Sequence, residues 1–420
     1  NMSKYLFHPY TRFSAIENDK FPNIVKGSGI YLFDDNGKRY TDIISSWWAC
    51  ALGHNHPKIV QSIQDQTNIL QHSITGSMTH PNVLKLSERL AHLMPSPNRH
   101  CLFASDGSSS IEAALKISLQ YWHNKGKIDK KWLVGMDQAY HGDSLGALGV
   151  GFVDSFHAPY KSAVKNSLKL PFPIPSEKDS DGFLQAHELI NEHAENIAAI
   201  IVEPLCLGSA GMKFYSANYL KRLSDLCNEK EILLIVDEIA MGFGRTGKMF
   251  AFEHAGINPD IICVGKALTA GYMPLSSCIV KNEIYESFSD LGEDDCTFYH
   301  GNTYAGHPIG CAAALAAIEI YTSENLIEQS HQTADFLKAE LEHFKSLSCV
   351  KEIRSLHMIG VIELKIEFLK DVPSIKNKLR DQGFLFRPLG TTFYFMPPLI
   401  ITIDELRDAV DAIKNVLKEI

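Results

Sequence analysis

Three short apolar runs each stop at a side chain that can do chemistry. Ile197–Val202 runs into Glu203, Ile232–Val236 into Asp237, and Asp260–Gly265 into Lys266. Five or six consecutive apolar residues make a strand buried on both faces. The charged ends recur about every 30 residues with a helical pattern through Tyr219, Leu220, Leu223 and Leu226 between the first two, which is the spacing of strand–helix–strand units in a parallel sheet. Ligands of such sheets sit outside the carboxyl ends of the strands, so Glu203, Asp237 and Lys266 are expected to face one crevice. A desolvated lysine loses its proton readily and becomes a Schiff-base nucleophile. Upstream, Cys101–Ser105 reads as a strand that turns at Gly107-Ser108 into a helix with Ile111, Leu115, Leu119 and Trp122 on one face and a Ser109…Glu112 capping box. Taken alone, this is an ordinary capped helix. Facing the same crevice, its free N–H groups and positive end suit a phosphate. A lysine for an aldehyde, a carboxylate for a pyridinium nitrogen and an anion site are together what pyridoxal 5'-phosphate (PLP) requires.

The elements that hold these groups belong to a chain of 420 residues, 45% hydrophobic, with a net charge of −9. That length exceeds the roughly 250–300 residues at which single cores stop growing, so more than one domain is expected. Mild acidity without a Lys/Arg-rich run argues against nucleic acid or an anionic membrane as partner, and for a small molecule. The nine cysteines form no C-x-x-C pair and several lie in apolar runs, so they read as reduced core residues of a cytosolic protein. Residues 1–8 resemble neither a signal nor a transit peptide, and runs such as Gly310–Ile320 fall short of the roughly 20 residues of a membrane span. His54, His56 and His72 lack partners at ligand spacing, so no metal is expected. Glu293–Asp295 reads as a solvated loop. No G-x-G-x-x-G follows a strand, which sets aside a dinucleotide-dependent oxidoreductase. After about residue 330 the pattern changes to helices (333–344 and a second after a Thr402…Glu405 box) around short strands at 358–363 and 384–386. Near the start, 29–33 and 38–40 resemble a hairpin with an Asn36-Gly37 turn.

Asp237-Glu-Ile-Ala-Met-Gly-Phe-Gly-Arg-Thr-Gly247, followed by Pro259-Asp-Ile-Ile-Cys-Val-Gly-Lys266, resembles the signature of the class III (omega) aminotransferases of PLP fold type I, and the likeness extends from His8-Pro-Tyr10 to Met396-Pro-Pro398. Within that class, Ser45-Ser-Trp-Trp48, Gly53-His-Asn-His-Pro57 and Arg387-Pro-Leu-Gly390 with Tyr394 are similar to the 7,8-diaminononanoate synthase family of biotin biosynthesis. The resemblance implies an α/β fold with a large, mostly parallel-sheet domain at 45–330 and a small α+β domain built from 1–44 and 331–420. It implies that Lys266 holds PLP and then moves the substrate proton, that Asp237 keeps the ring nitrogen protonated, that Gly107 and Ser108 grip the phosphate and that Tyr140 lies against the ring. Thr303 would reach the phosphate of a neighbouring subunit's PLP, which implies a homodimer. For the acceptor, a nine-carbon amino keto acid, it implies contacts from Tyr10, Trp47, Trp48, Tyr140, Lys266, Gly301 and Tyr394, with Arg387 clamping the carboxylate. Asn302 stands where family members using S-adenosylmethionine usually carry proline, which leaves the amino donor open between S-adenosylmethionine and lysine. Met241 stands in place of the usual threonine. Another class III enzyme acting on ornithine, 4-aminobutyrate or a diamine, and a PLP-binding protein without turnover, are the competing readings.

Overall fold

Leu234 and Val236 pack on one face of the strand Leu233–Asp237, Leu233 and Ile235 on the other, and all four are buried. The same two-sided burial holds for Ile197–Val202 and Ile261–Val264, which is why these stretches read as unbroken apolar runs. The computed structural model describes residues 5–18, 21–165 and 167–420; the reading of the first four residues lies outside them. It joins seven strands in the order Arg99–Ala104, Ser276–Lys281, Ile261–Val264, Leu233–Asp237, Ile197–Val202, Trp132–Met136 and Lys169–Leu170. Only Ser276–Lys281 runs against the rest, antiparallel to both neighbours. The carboxyl ends of the other six therefore lie along one edge, and the loops that follow them carry Gly107, Tyr140, Glu203 and Lys266, with Asp237 itself the last residue of its strand.

Helices cover both faces. On one, Gly107–Asn124 sets Ile111, Leu115 and Trp122 against Ile201, Ile235 and Cys263. On the other, Ala217–Glu229 buries Tyr219, Leu220, Leu223 and Leu226, each apolar side chain contributing about 1.5–3 kcal/mol. The Ser109…Glu112 box is not formed. Asp106 caps the helix instead by accepting from Ser109 N at 2.8 Å, and the Glu112 carboxylate turns away to accept from Ser144 Oγ and Ala147 N.

Both termini meet beside this sheet. The hairpin Tyr31–Asp34 and Arg39–Asp42 pairs in parallel with Phe384–Leu385, aligning Thr41 with Phe384 and Asp42 with Leu385. Its turn is longer than two residues, with Asp34 accepting from both Asn36 N and Lys38 N. An antiparallel sheet, Val350–Leu356, Ile359–Leu364 and Thr392–Phe395, is backed by the helix Leu326–Glu342, against which the helix Ile403–Lys418 packs. In the latter helix both arms of the Thr402/Glu405 capping box are in place. No helix among the described residues is long and apolar enough to cross a membrane. Eight of the nine cysteines are buried and Cys101 is partly so.

Candidate active site

Glu203, Asp237 and Lys266 line one cavity of about 180 Å³ at the carboxyl edge of the sheet, together with Gly107, Ser108, Tyr140, His141 and Met241. Lys266 follows its strand with φ near 43°, and burial lowers its pKa against the opposing pull of Asp237 and Glu203. The Asp237 carboxylate spans two partners: His141 Nδ1 at 2.7 Å and Ile239 N at 3.1 Å. With Ser109 N taken by the Asp106 cap, the N–H groups of Gly107 and Ser108 are the first two of an 18-residue helix and have no partner within it. Space here is tight. A Cβ on Gly107 would stand 3.2 Å from Ile239 methyl carbons, and one on Gly142, whose φ is +121°, would stand 1.8 Å from Ser108 Oγ. Glycine at 142 is thus what lets the 139–143 loop close on the turn, where Asp143 N donates to Ser108 Oγ.

Among the described residues Glu203 has no arginine partner. Its carboxyl accepts from Tyr140 N at 3.0 Å and Gly208 N at 3.2 Å, and burial together with the nearby Asp237 pushes it up to about 8 despite those two donors. An ordinary glutamate titrates near 4.5, so the unfolded chain releases this proton first. The contribution of Glu203 to stability is fully present below that value and lost as pH rises through about 8. Between about pH 6 and about pH 9 the Tm of the cofactor-free protein is expected to fall less in Glu203→Gln than in the parent, with the slope rather than the absolute Tm as readout.

Trp48, Tyr140 and Lys266 also open onto an outer chamber of about 1630 Å³ whose walls include Tyr10, Trp47 and Arg387. Ser45, Ser46, Trp47 and Trp48 all have φ between 47° and 71°, a left-handed turn that costs non-glycine residues about 1–2 kcal/mol each. Three side-chain contacts hold it: Asp42 accepts from Ser46 N and Oγ, Ser45 Oγ donates to Met396 O, and Trp48 Nε1 donates to Tyr394 OH. The turn presents Trp47, 38% exposed, while Trp48 is buried with its ring 5.7 Å from Lys266 Nζ. The half-buried Arg387 lies 4.0 Å from the Trp47 ring centroid and forms no ion pair among the described residues. Tyr10 OH donates to Asp143, its ring edge-on to Trp47.

Not every expected residue lies here. Tyr394 is 1% exposed, behind Trp48 and outside both cavities. Gly301 and Thr303 sit on an exposed loop and line neither cavity of their own chain. Between them, Asn302 Oδ1 accepts from Ser105 N at 3.2 Å, a contact that proline could not make. His141, Gly142 and Asp143 join the site without having been singled out from the sequence. His141 and Gly142 stand next to Tyr140 in Ala139-Tyr-His-Gly-Asp143, and neither residue type at that place carries a signal until the loop is folded.

A family model for class III aminotransferases matches residues 13–417. The chain belongs to the class III aminotransferases. The adenosylmethionine-8-amino-7-oxononanoate aminotransferase of Helicobacter pylori is 36% identical over 99% of this chain and 97% of its own length. The crystal structure of the enzyme of that name from Methanocaldococcus jannaschii superposes with a TM-score of 0.94 at 32% identity, covering 99% and 97% of the two chains. An amine transaminase from an uncultivated Pseudomonas species, solved in its PLP-bound form, gives 0.93 at 30% identity over 100% and 99%. The protein is a PLP-dependent transaminase of fold type I acting on small molecules.

The inner cavity fits that cofactor on its own terms. It offers one lysine, a carboxylate braced by a buried histidine and a helix start whose glycine leaves no room for a larger side chain.

Proposed function

We propose that the enzyme transfers an amino group to 8-amino-7-oxononanoate, forming 7,8-diaminononanoate in biotin biosynthesis. The observation that carries this is the Arg387 guanidinium stacked on Trp47 in a chamber that Lys266 also lines. A planar cation held on an aromatic face suits a carboxylate at one end of a long apolar acceptor, with the ketone delivered to the amine at the other. The names of the relatives support the same acceptor.

In this reading PLP, when bound, supplies the electron sink that makes the substrate's C–H bond acidic. Lys266 would hold the cofactor and then take the proton released from the substrate carbon. Asp237, fixed by His141 and Ile239 N, keeps the ring nitrogen protonated. Gly107 and Ser108 take the phosphate, Tyr140 covers the ring, and Tyr10, Trp47 and Trp48 wall the acceptor. Tyr394 acts through Trp48, to which it is hydrogen-bonded.

Thr303 and Gly301 serve the site of a second subunit in a homodimer. Exposed Tyr299 and Tyr304 flank that loop, a surface that a second copy would cover. S-adenosylmethionine is the proposed donor and lysine the competing one, since Asn302 departs from proline beside the phosphate turn. The division into 45–330 and a small domain of 1–44 with 331–420 accords with the pairing of Arg39–Asp42 and Phe384–Leu385. A cytoplasmic setting suits the unpaired cysteines.

Arg387→Ala is expected to raise the KM for 8-amino-7-oxononanoate about a hundredfold while changing the donor half-reaction by less than about threefold. Steady-state and single-turnover kinetics separate the two, and equal losses in both would count against a clamp for the acceptor.

A further inference from the structure

One wall of the outer chamber is the segment 151–165, which folds into two short turns, Asp154–His157 and Ala158–Ala163. From its middle His157 points inward and is 2% exposed. Val153 N donates to His157 Nδ1 at 3.0 Å. That nitrogen therefore offers a lone pair, and the ring proton resides on Nε2, which lies 3.0 Å from Asp143 Oδ1. Asp143 is the hub of the chamber. The same oxygen accepts from Tyr10 OH, and Oδ2 accepts from Tyr140 OH at 2.9 Å. The His157 ring lies nearly parallel to that of Tyr140, 11° apart with centroids at 6.0 Å, between Phe152 and Phe156.

We propose that His157 is a positioning residue for the acceptor site: its Nε2–H fixes the Asp143 carboxylate so that the Tyr10 and Tyr140 hydroxyls converge on it. Asp143 is about half exposed, and a carboxylate this accessible rotates freely unless a buried donor holds one oxygen. Val153 sets the tautomer and the phenylalanines set the ring plane, so the donor is already aimed before substrate arrives. Tyr10 carries the consequence across the chamber, because its hydroxyl is on Asp143 while its ring lies 6.0 Å from the Arg387 guanidinium. The inference rests on the reading that Tyr10 and Tyr140 meet the acceptor.

The test compares side chains that keep or lose the donor. Glutamine at 157 can place an amide N–H where Nε2 stands, whereas asparagine reaches only the position of Nδ1. His157→Asn and His157→Leu are expected to raise the keto-acid KM about tenfold or more, with PLP affinity and the visible absorbance of the bound cofactor unchanged, and His157→Gln to return KM to within about threefold of the parent. In an Asp143→Asn background, His157→Asn should add less than about twofold, because its route of action is already cut. Equal losses in the Gln and Asn variants, additive losses in the double variant, or a loss confined to PLP affinity or Tm would each overturn the proposal. No turnover of 8-amino-7-oxononanoate by the parent enzyme falls on the acceptor assignment instead, and the Gln/Asn contrast is then read with whichever keto acid the parent accepts.

Discussion

Lys266→Ala is expected to remove the visible absorbance of the lysine-bound cofactor and to slow amino transfer by more than about four orders of magnitude. Among the residues lining the inner cavity Lys266 is the only lysine. The others nearby, Lys161, Lys165, Lys169, Lys213 and Lys376, stand on the walls of the outer chamber. Lys169 also donates to Gly149 O. None is placed to substitute for an amine that emerges directly from a strand end with its backbone in the left-handed region. On the proposed roles of Lys266 two functions are lost together, the attachment of the cofactor and the proton carrier. Absorption spectra of the purified variant and single-turnover assays with excess donor read them separately. Normal turnover in this variant contradicts the assignment of Lys266.

Asp237→Asn is the second large effect, with kcat expected to fall about 10²–10³-fold and KM to change little. Asparagine keeps the shape of the side chain and can still accept from Ile239 N, so the fold is retained. What disappears is the negative charge that would hold a proton on the cofactor's ring nitrogen. The same charge also raises the pKa of Lys266 against the lowering effect of burial. Titration of the Lys266 amine in the cofactor-free protein, followed by its rate of reaction with an amine reagent, should therefore show the lysine transition moved to lower pH in the variant. An unchanged transition with unchanged kcat would mean that Asp237 braces the loop around His141 and no more.

Sequence and structure agree most closely where burial leaves no choice. The runs ending at Glu203, Asp237 and Lys266 were legible because strands covered on both faces admit only apolar residues, so the first charged one marks the exit of the strand. The Thr402/Glu405 cap was legible because both of its reciprocal bonds form, whereas Ser109…Glu112 failed because Ser144 and Ala147 claim the glutamate. The left-handed turn at Ser45–Trp48 was invisible. It contains no glycine, and its strain is held by Asp42, Tyr394 and Met396, the last two some 350 residues away. His141, Asp143 and His157 were missed for a similar reason, since their meaning lies in contacts across loops that no local period encodes. The resemblance located Trp47 and Arg387, and the pairing of Phe384–Leu385 with Arg39–Asp42 explains why they meet: Asp42 anchors the turn that bears Trp47, and Arg387 follows the paired strand by two residues.

The most direct test of the proposed function is diamine formation by the PLP-loaded enzyme supplied with 8-amino-7-oxononanoate and either S-adenosylmethionine or lysine. 7,8-Diaminononanoate is expected with at least one of the two donors, and S-adenosylmethionine is expected to be the better. Absence of product with both, from an enzyme that transfers amino groups to another acceptor, would contradict the assignment of the acceptor.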